Sequence, residues 1–191
     1  MGSDIAAATR WEGYRITAQS VSELRAIGSP TRAFLMPILS IYSVLEILFG
    51  FGIWRVAGKK RTLQVTSILL VTLGILDSMS PLFALNINEA IGSITNIIHI
   101  IVTALTVLLI LLIIGFGASS GKKWFRFYSI GTILTLIVAG IASFVNVQKF
   151  AAQQQTPWLG VIERINIYGY MIWVMVFAVV LLRSQKGIKN G

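Results

Sequence analysis

The chain has 191 residues, of which 55% are apolar and only 12% charged, and its mean hydropathy is +0.80. A soluble domain is nearer one quarter charged, so an ordinary water-soluble globule is excluded; the absence of cysteine excludes disulfide frameworks, thiolate metal sites and cysteine nucleophiles. The net charge of +9 sits between apolar runs and not on one face, which points to membrane orientation and away from nucleic acid as a partner.

Residues 1–30 form the one sizeable segment outside the apolar runs. Within it, Ser20-Val21-Ser22-Glu23 fits a capping box, a hydroxyl followed three residues later by a carboxylate. Val21, Leu24 and Ile27 recur at helical spacing, Gly28 offers a left-handed exit and Pro30 blocks continuation. The pattern predicts a short amphipathic helix near 21–27, lying on the bundle or at the interface. Ser29 is the expected cap of the next helix, with Pro30 at its first position.

Five apolar runs follow, at 34–56, 63–85, 94–116, 127–147 and 161–182. Each is near the ~20 residues needed to cross a bilayer, and only a helix satisfies its own backbone there. The fold class expected is an all-α polytopic transmembrane bundle forming a single domain over residues 1–191. Arg55, Lys59, Lys60, Arg61, Lys122, Lys123, Arg126, Arg183, Lys186 and Lys189 fall on one side, with no acid among them. The other side mixes Arg10, Arg15, Arg25, Arg32, Lys149 and Arg164 with Asp4, Glu12, Glu23, Glu89 and Glu163. The first side is therefore expected to be cytoplasmic, with the C-terminus there and the N-terminal segment external. Trp54 and Trp124 would mark the inner interface and Trp158 the outer one. An external N-terminus must itself be translocated, which predicts a further span before residue 5.

Asp77 and the single histidine, His99, lie inside the second and third runs. Ionisable residues in hydrocarbon are costly and mark functional sites by default. At 1.5 Å per residue they lie about 12 Å and 8 Å below the external surface, close enough in depth to touch. Polar residues form stripes: Asn96, His99, Thr103 and Thr106; Gly74, Asp77 and Ser80; Glu163, Asn166 and Tyr170; Ser43, Glu46 and Gly50; Ser143 and Asn146. Turned inward, they would enclose an outward-facing polar pocket, with Asp77 and His99 at its centre, Glu163 and Arg164 at its rim and the Ser20–Gly28 helix, which carries Ser22 and Glu23, as a lid. Pro81 removes the amide partner of the Asp77 carbonyl, so a kink beside the acid is expected.

Plainer readings exist for each residue. Asp77 and His99 can be glue between helices, Glu163-Arg164 a surface ion pair, Ser22-Glu23 a helix cap, and Tyr168, Tyr170 and Trp173 packing. One histidine excludes a bis-histidine haem and a multi-histidine zinc site; no cofactor or metal is expected, and Asp77, His99 and Glu163 are the ligand types if one binds. A serine nucleophile (Ser80, Ser78 or Ser22) activated by His99 lacks a Gly-x-Ser-x-Gly elbow.

Tyr14, Ser20-Val21-Ser22-Glu23-Leu24 and Gly28-x-Pro30, followed by Asp77, His99, Glu163-Arg164 and Trp173, resemble the prokaryotic membrane family called "domain of unknown function 998" over essentially the whole chain. The resemblance implies a prokaryotic cell membrane and six spans, one of them before the Ser-Glu-Leu element. It implies no particular activity. The expected function is binding or transport of a lipid headgroup or small polar molecule, with the bilayer as partner and Asp77 and His99 as a proton-linked pair. The alternatives are a membrane-embedded hydrolase using that pair, with or without one metal ion, and an assembly partner of another membrane protein.

Overall fold

The computed structural model describes residues 2–151 and 156–189. Among them are seven α-helices: α1 (Gly2–Ala8), α2 (Val21–Leu24), α3 (Arg32–Ala57), α4 (Arg61–Ser78), α5 (Ile94–Ala118), α6 (Lys123–Ala151) and α7 (Leu159–Lys189), with a 3-10 turn at Ser80–Phe83. The all-α expectation holds among the described residues, where the one β feature is an isolated parallel bridge between Ile27 and Asn86. α3, α5, α6 and α7 are long and apolar enough to cross a membrane. The side chains of Lys186 and Lys189, counted above in the basic set, lie outside the described residues.

Three boundaries differ from the sequence reading, each for a backbone reason. The second apolar run does not continue, kinked, to residue 85. α4 stops at Ser78 after 18 residues, about 27 Å of helix. Pro81 has no amide hydrogen and disfavours helical backbone at Ser80, so the chain tightens into the 3-10 turn, with the Met79 amide donating to the Ile75 and Leu76 carbonyls. The five expected spans thus become four long apolar helices and one shorter one. The amphipathic helix near 21–27 is likewise shortened to Val21–Leu24, because the Ile27 amide donates to the Leu85 carbonyl and the Ile87 amide to the Ile27 carbonyl. Helix α3 starts at Arg32 with Thr31 as its N-cap, while Ser29 donates to the Leu24 carbonyl. Gly28 does take the left-handed conformation (φ 91°), and a Cβ there would lie 2.6 Å from Asn88 Nδ2.

Successive long helices pack against one another, so the bundle runs up and down with two unlike ends. The basic end holds the α3–α4 and α5–α6 links. The capped end holds the N-terminal segment, the α4–α5 link and the first turn of α7. The α3–α4 seam closes on small residues: a Cβ on Gly50 would lie 2.7 Å from Val71 Cγ2, and one on Gly74 would lie 2.6 Å from Ile47 Cγ1. Ser67 crosses the seam to donate to the Gly50 carbonyl at 2.7 Å. This close backbone approach is how helices associate in a medium that supplies no hydrophobic force between them.

The main core fills the half nearer the basic end, where Phe125, Trp173 and Phe177 stack, with centroids 4.8 Å apart for Trp173 and Phe177 and 5.8 Å for Phe125 and Trp173. Trp173 Nε1 donates to Ser129 Oγ at 2.9 Å, so the one polar atom of the ring is satisfied. A separate small core of Ala7, Ala8, Leu24 and Leu35 seats the N-terminal segment on α3.

A Gly74→Val substitution is expected to destabilise the detergent-solubilised protein by about 1–3 kcal/mol, through overpacking against Ile47 and the Ser43 carbonyl. Gly52→Val, where a Cβ meets nothing within 4 Å, should leave the melting temperature unchanged. Equal melting of the two variants would remove the seam argument.

Candidate functional site

The capped end is assembled around two adjacent residues of α7. Arg164 is buried and donates from Nε to Asp4 Oδ2 at 3.2 Å, from one terminal nitrogen to the Ile16 and Gly160 carbonyls, and from the other to Tyr14 Oη. Tyr168 also donates to Asp4 Oδ2. Glu163, one residue earlier, accepts from the Val21 amide at 2.8 Å and the Ser22 amide at 3.4 Å. It caps α2 from outside, adding a carboxylate where the helix leaves its first amides unpaired. The capping box expected from sequence is present: Ser20 Oγ accepts from the Glu23 amide, and Glu23 accepts from the Ser20 amide. Tyr14 donates to the Gln19 and Ser20 carbonyls, and burial pushes its phenol from 10.0 up to about 12.

Pinned in this way, the chain past α2 carries Arg25 over the gap between α4 and α5. Beneath it lies a cleft of about 60 Å³ lined by Arg25, Asp77, Ser80 and His99, with Thr103 and Thr106 deeper on α5 and Met36, Leu76, Phe83, Ala84 and Val102 as its apolar walls. That volume is room for a few waters or one small polar group. His99 does not pair with Asp77. Its Nδ1 lies 2.9 Å from the Phe83 carbonyl, an oxygen that can only accept, so Nδ1 carries the hydrogen and neutral His99 leaves Nε2 as an acceptor. Arg25 and Asp77 interact electrostatically, but no ion pair joins them; among the described residues Arg164–Asp4 is the ion pair formed.

The remaining sequence candidates lie elsewhere. Asn96 is buried and clamps the α4–α5 link: its Oδ1 accepts from the Asn86 amide and its Nδ2 donates to the Asn86, Glu89 and Ala90 carbonyls. In the same link, hydrogen bonds from Ser93, then Thr95 and Asn86, hold the Glu89 carboxyl below its ordinary range. Glu163 and Arg164 are not a rim, and Ser22 and Glu23 do not face the cleft, since all four are occupied in seating the N-terminal segment. Asn146 donates to the Ala142 carbonyl of its own helix, and neither it nor Asn166 lines the cleft. Glu46 lies below, bonded to Tyr170. Among the described residues no three His, Asp or Glu side chains are grouped to hold a metal, so Asp77, His99 and Glu163 do not form a ligand set. The acid–histidine pair of the hydrolase reading is not formed either.

Sequence reasoning missed Arg25 and Asp4. Arg25 reads in the sequence as an orientation charge, whereas the structure holds it between the buried Leu24 and Ala26. Asp4 is an acid beside the apolar stretch Ile5–Ala8, buried to 7% exposure.

Long apolar helices, sheathed in exposed leucine, isoleucine, valine and phenylalanine and sharing a polar cleft at one end, define a polytopic helical membrane protein. The family model for proteins of unknown function (DUF998) matches residues 1–180, and the chain belongs to that family. Comparison with curated proteins and with solved structures gives no match.

Replacing Arg164 by Met strands the Asp4 carboxylate in a buried site and should cost about 3–5 kcal/mol, while adding Asp4→Asn should restore much of it. Thermal melting of the single and double variants reads this; an unperturbed single variant would show the pair to be dispensable. For Tyr14, the folded state holds its proton more tightly than the unfolded chain does. The stability this contributes is whole below pH 10 and is lost as pH climbs towards 12. The difference in tyrosinate absorbance between wild type and Tyr14→Phe should therefore titrate near pH 12, and a difference centred on 10 would place the phenol in solvent.

Proposed function

We propose that this membrane protein binds a small zwitterionic group, either a lipid headgroup or a free molecule of the same chemistry, in the cleft at its capped end. We take that end as external, because the acid-free basic links gather at the other. The observation that carries the reading is a pair of opposite charges sharing one cleft without meeting: Arg25 on its roof and Asp77 on its wall. Each charge separately favours an ionised partner. A guest with an ammonium for Asp77 and a phosphate or carboxylate for Arg25 would satisfy both together. Ser80, Thr103 and the free Nε2 of His99 remain for its other polar atoms. A proton on Nε2 would add a second positive charge near the anionic end, which makes His99 the group that links binding to pH.

The test uses two probes of one chemistry: short-chain phosphatidylethanolamine below its micelle concentration, and free phosphoethanolamine. Binding raises the melting temperature by mass action, about 2.7 kcal/mol of stabilisation at 100 times Kd. We expect a rise with at least one probe, lost in Asp77→Asn and in Arg25→Gln while ligand-free melting stays the same. His99→Ala should weaken the apparent affinity roughly tenfold, the scale of one hydrogen bond to a charged group. A response to the lipid alone identifies a headgroup site, and a response to phosphoethanolamine a free solute. No rise with either probe, or a fall in the ligand-free melting of Asp77→Asn, would return Asp77 to the role of helix glue.

A further inference from the structure

Glu46 stands outside the cleft and outside the docking of the N-terminal segment. It lies 14 residues into α3, about 21 Å from the start of that helix and about 16 Å from its end, near the middle of the apolar slab. It is 7% exposed and belongs to the face of α3 that packs on α4, between Ser43 and Gly50. One oxygen, Oε1, accepts from Tyr170 of α7 at 2.8 Å. The other, Oε2, is buried and has no hydrogen-bond partner among the described residues. The groups that act on Glu46 electrostatically are Asp77, Tyr42 and Tyr170. None of them is a cation. An ionised Glu46 would therefore be a bare anion in hydrocarbon, and a packing residue at this position would need no carboxyl at all.

Asp77 is the cleft residue that acts on this carboxyl electrostatically. It lines the cleft, and it lies one helical turn nearer the capped end than Gly74, which packs on Ser43 and Ile47 beside Glu46. Tyr42 interacts electrostatically with both acids. We propose that Glu46 is a second site of this protein, one that binds a proton, and that the proton reaches it from the cleft by way of Asp77. The step is a proton transfer alone: the O–H bond of the Asp77 carboxyl breaks, one forms on Glu46 Oε2, and the negative charge passes to Asp77, where the cleft is wet. Asp77 then regains a proton from the cleft. The proposal needs the cleft to admit water and is independent of the zwitterion reading.

Infrared spectroscopy of the protein in lipid nanodiscs tests it without any ligand. Wild type at pH 7 should show a protonated-carboxyl C=O band that is missing in Glu46→Gln. Should that variant not fold, Tyr170→Phe assigns the same band by shifting its frequency, because it removes the hydrogen bond to Oε1. The band should shift in D2O, and Asp77→Asn should slow that exchange at least tenfold. A hydrophobic carbodiimide, which attacks protonated carboxyls, should label Glu46 at pH 7, and the label should be missing in Glu46→Gln. No band, a band that never exchanges, or an exchange rate unchanged in Asp77→Asn would each overturn the proposal. So would a band that bleaches when sodium replaces an organic cation at constant pH, since that would make the site one for sodium.

Discussion

One buried guanidinium holds the capped end together. Arg164 reaches Asp4, Tyr14 and the Ile16 carbonyl, three points spread over the first sixteen residues, while also bonding the Gly160 carbonyl of its own helix. A charge taken out of water is tolerated where its nitrogens find acceptors and one acceptor is anionic, and each of the three Arg164 nitrogens has one here. With the N-terminal segment fixed to α7, Glu163 meets the first amides of α2 and the chain beyond α2 can extend over the cleft. The position of Arg25 is thus inherited from Arg164, although the two side chains do not touch. A change at Arg164 would reach the cleft through the backbone of residues 14–25.

The polar groups of the bundle divide by depth. Near the capped end they are numerous and mutually bonded, and they include backbone atoms of the links. In the cleft they face a shared space: Arg25, Asp77, Ser80 and His99. At mid-depth they reduce to Glu46 and its tyrosine neighbours, and below that the interior is mostly aromatic and aliphatic, with Ser67 bonded to the Gly50 carbonyl and Trp173 to Ser129. Burying each polar group becomes costlier with depth, so each remaining one calls for a stronger reason.

Much of this was legible in the sequence where one physical rule dominated. Long apolar runs specify membrane-length helices, so α3, α5, α6 and α7 appear close to their expected places. The capping box at Ser20–Glu23 was readable because it is a local reciprocal bond. Pro81 marked a break but not its kind: with the Ser80 backbone also restricted, the helix ends where a kink was expected. Asp77, Ser80 and His99 line one cleft, and their depth and helix face are local quantities that the sequence carries. Asn96, Glu163 and Arg164 were misassigned for one reason. Their partners are backbone atoms of links and of a segment more than 100 residues away for the latter two, and periodicity along a helix carries no information about those. Asp4 was invisible because its partners, Arg164 and Tyr168, lie 160 or more residues away, and Arg25 because its place over the cleft depends on how the N-terminal segment is seated.

The aromatic stack at the basic end bears on what kind of device this bundle is. Phe125, Trp173 and Phe177 knit α6 to α7, and Gly117 brings α5 against the same indole, so three helices share one rigid joint. The cleft lies at the opposite end, under a segment seated by polar contacts and a small apolar core. Helices stacked through rings at one end and bridged by that segment at the other cannot rock to open the stacked end without unstacking those rings. Any opening of this bundle is therefore easier at the end that holds the cleft.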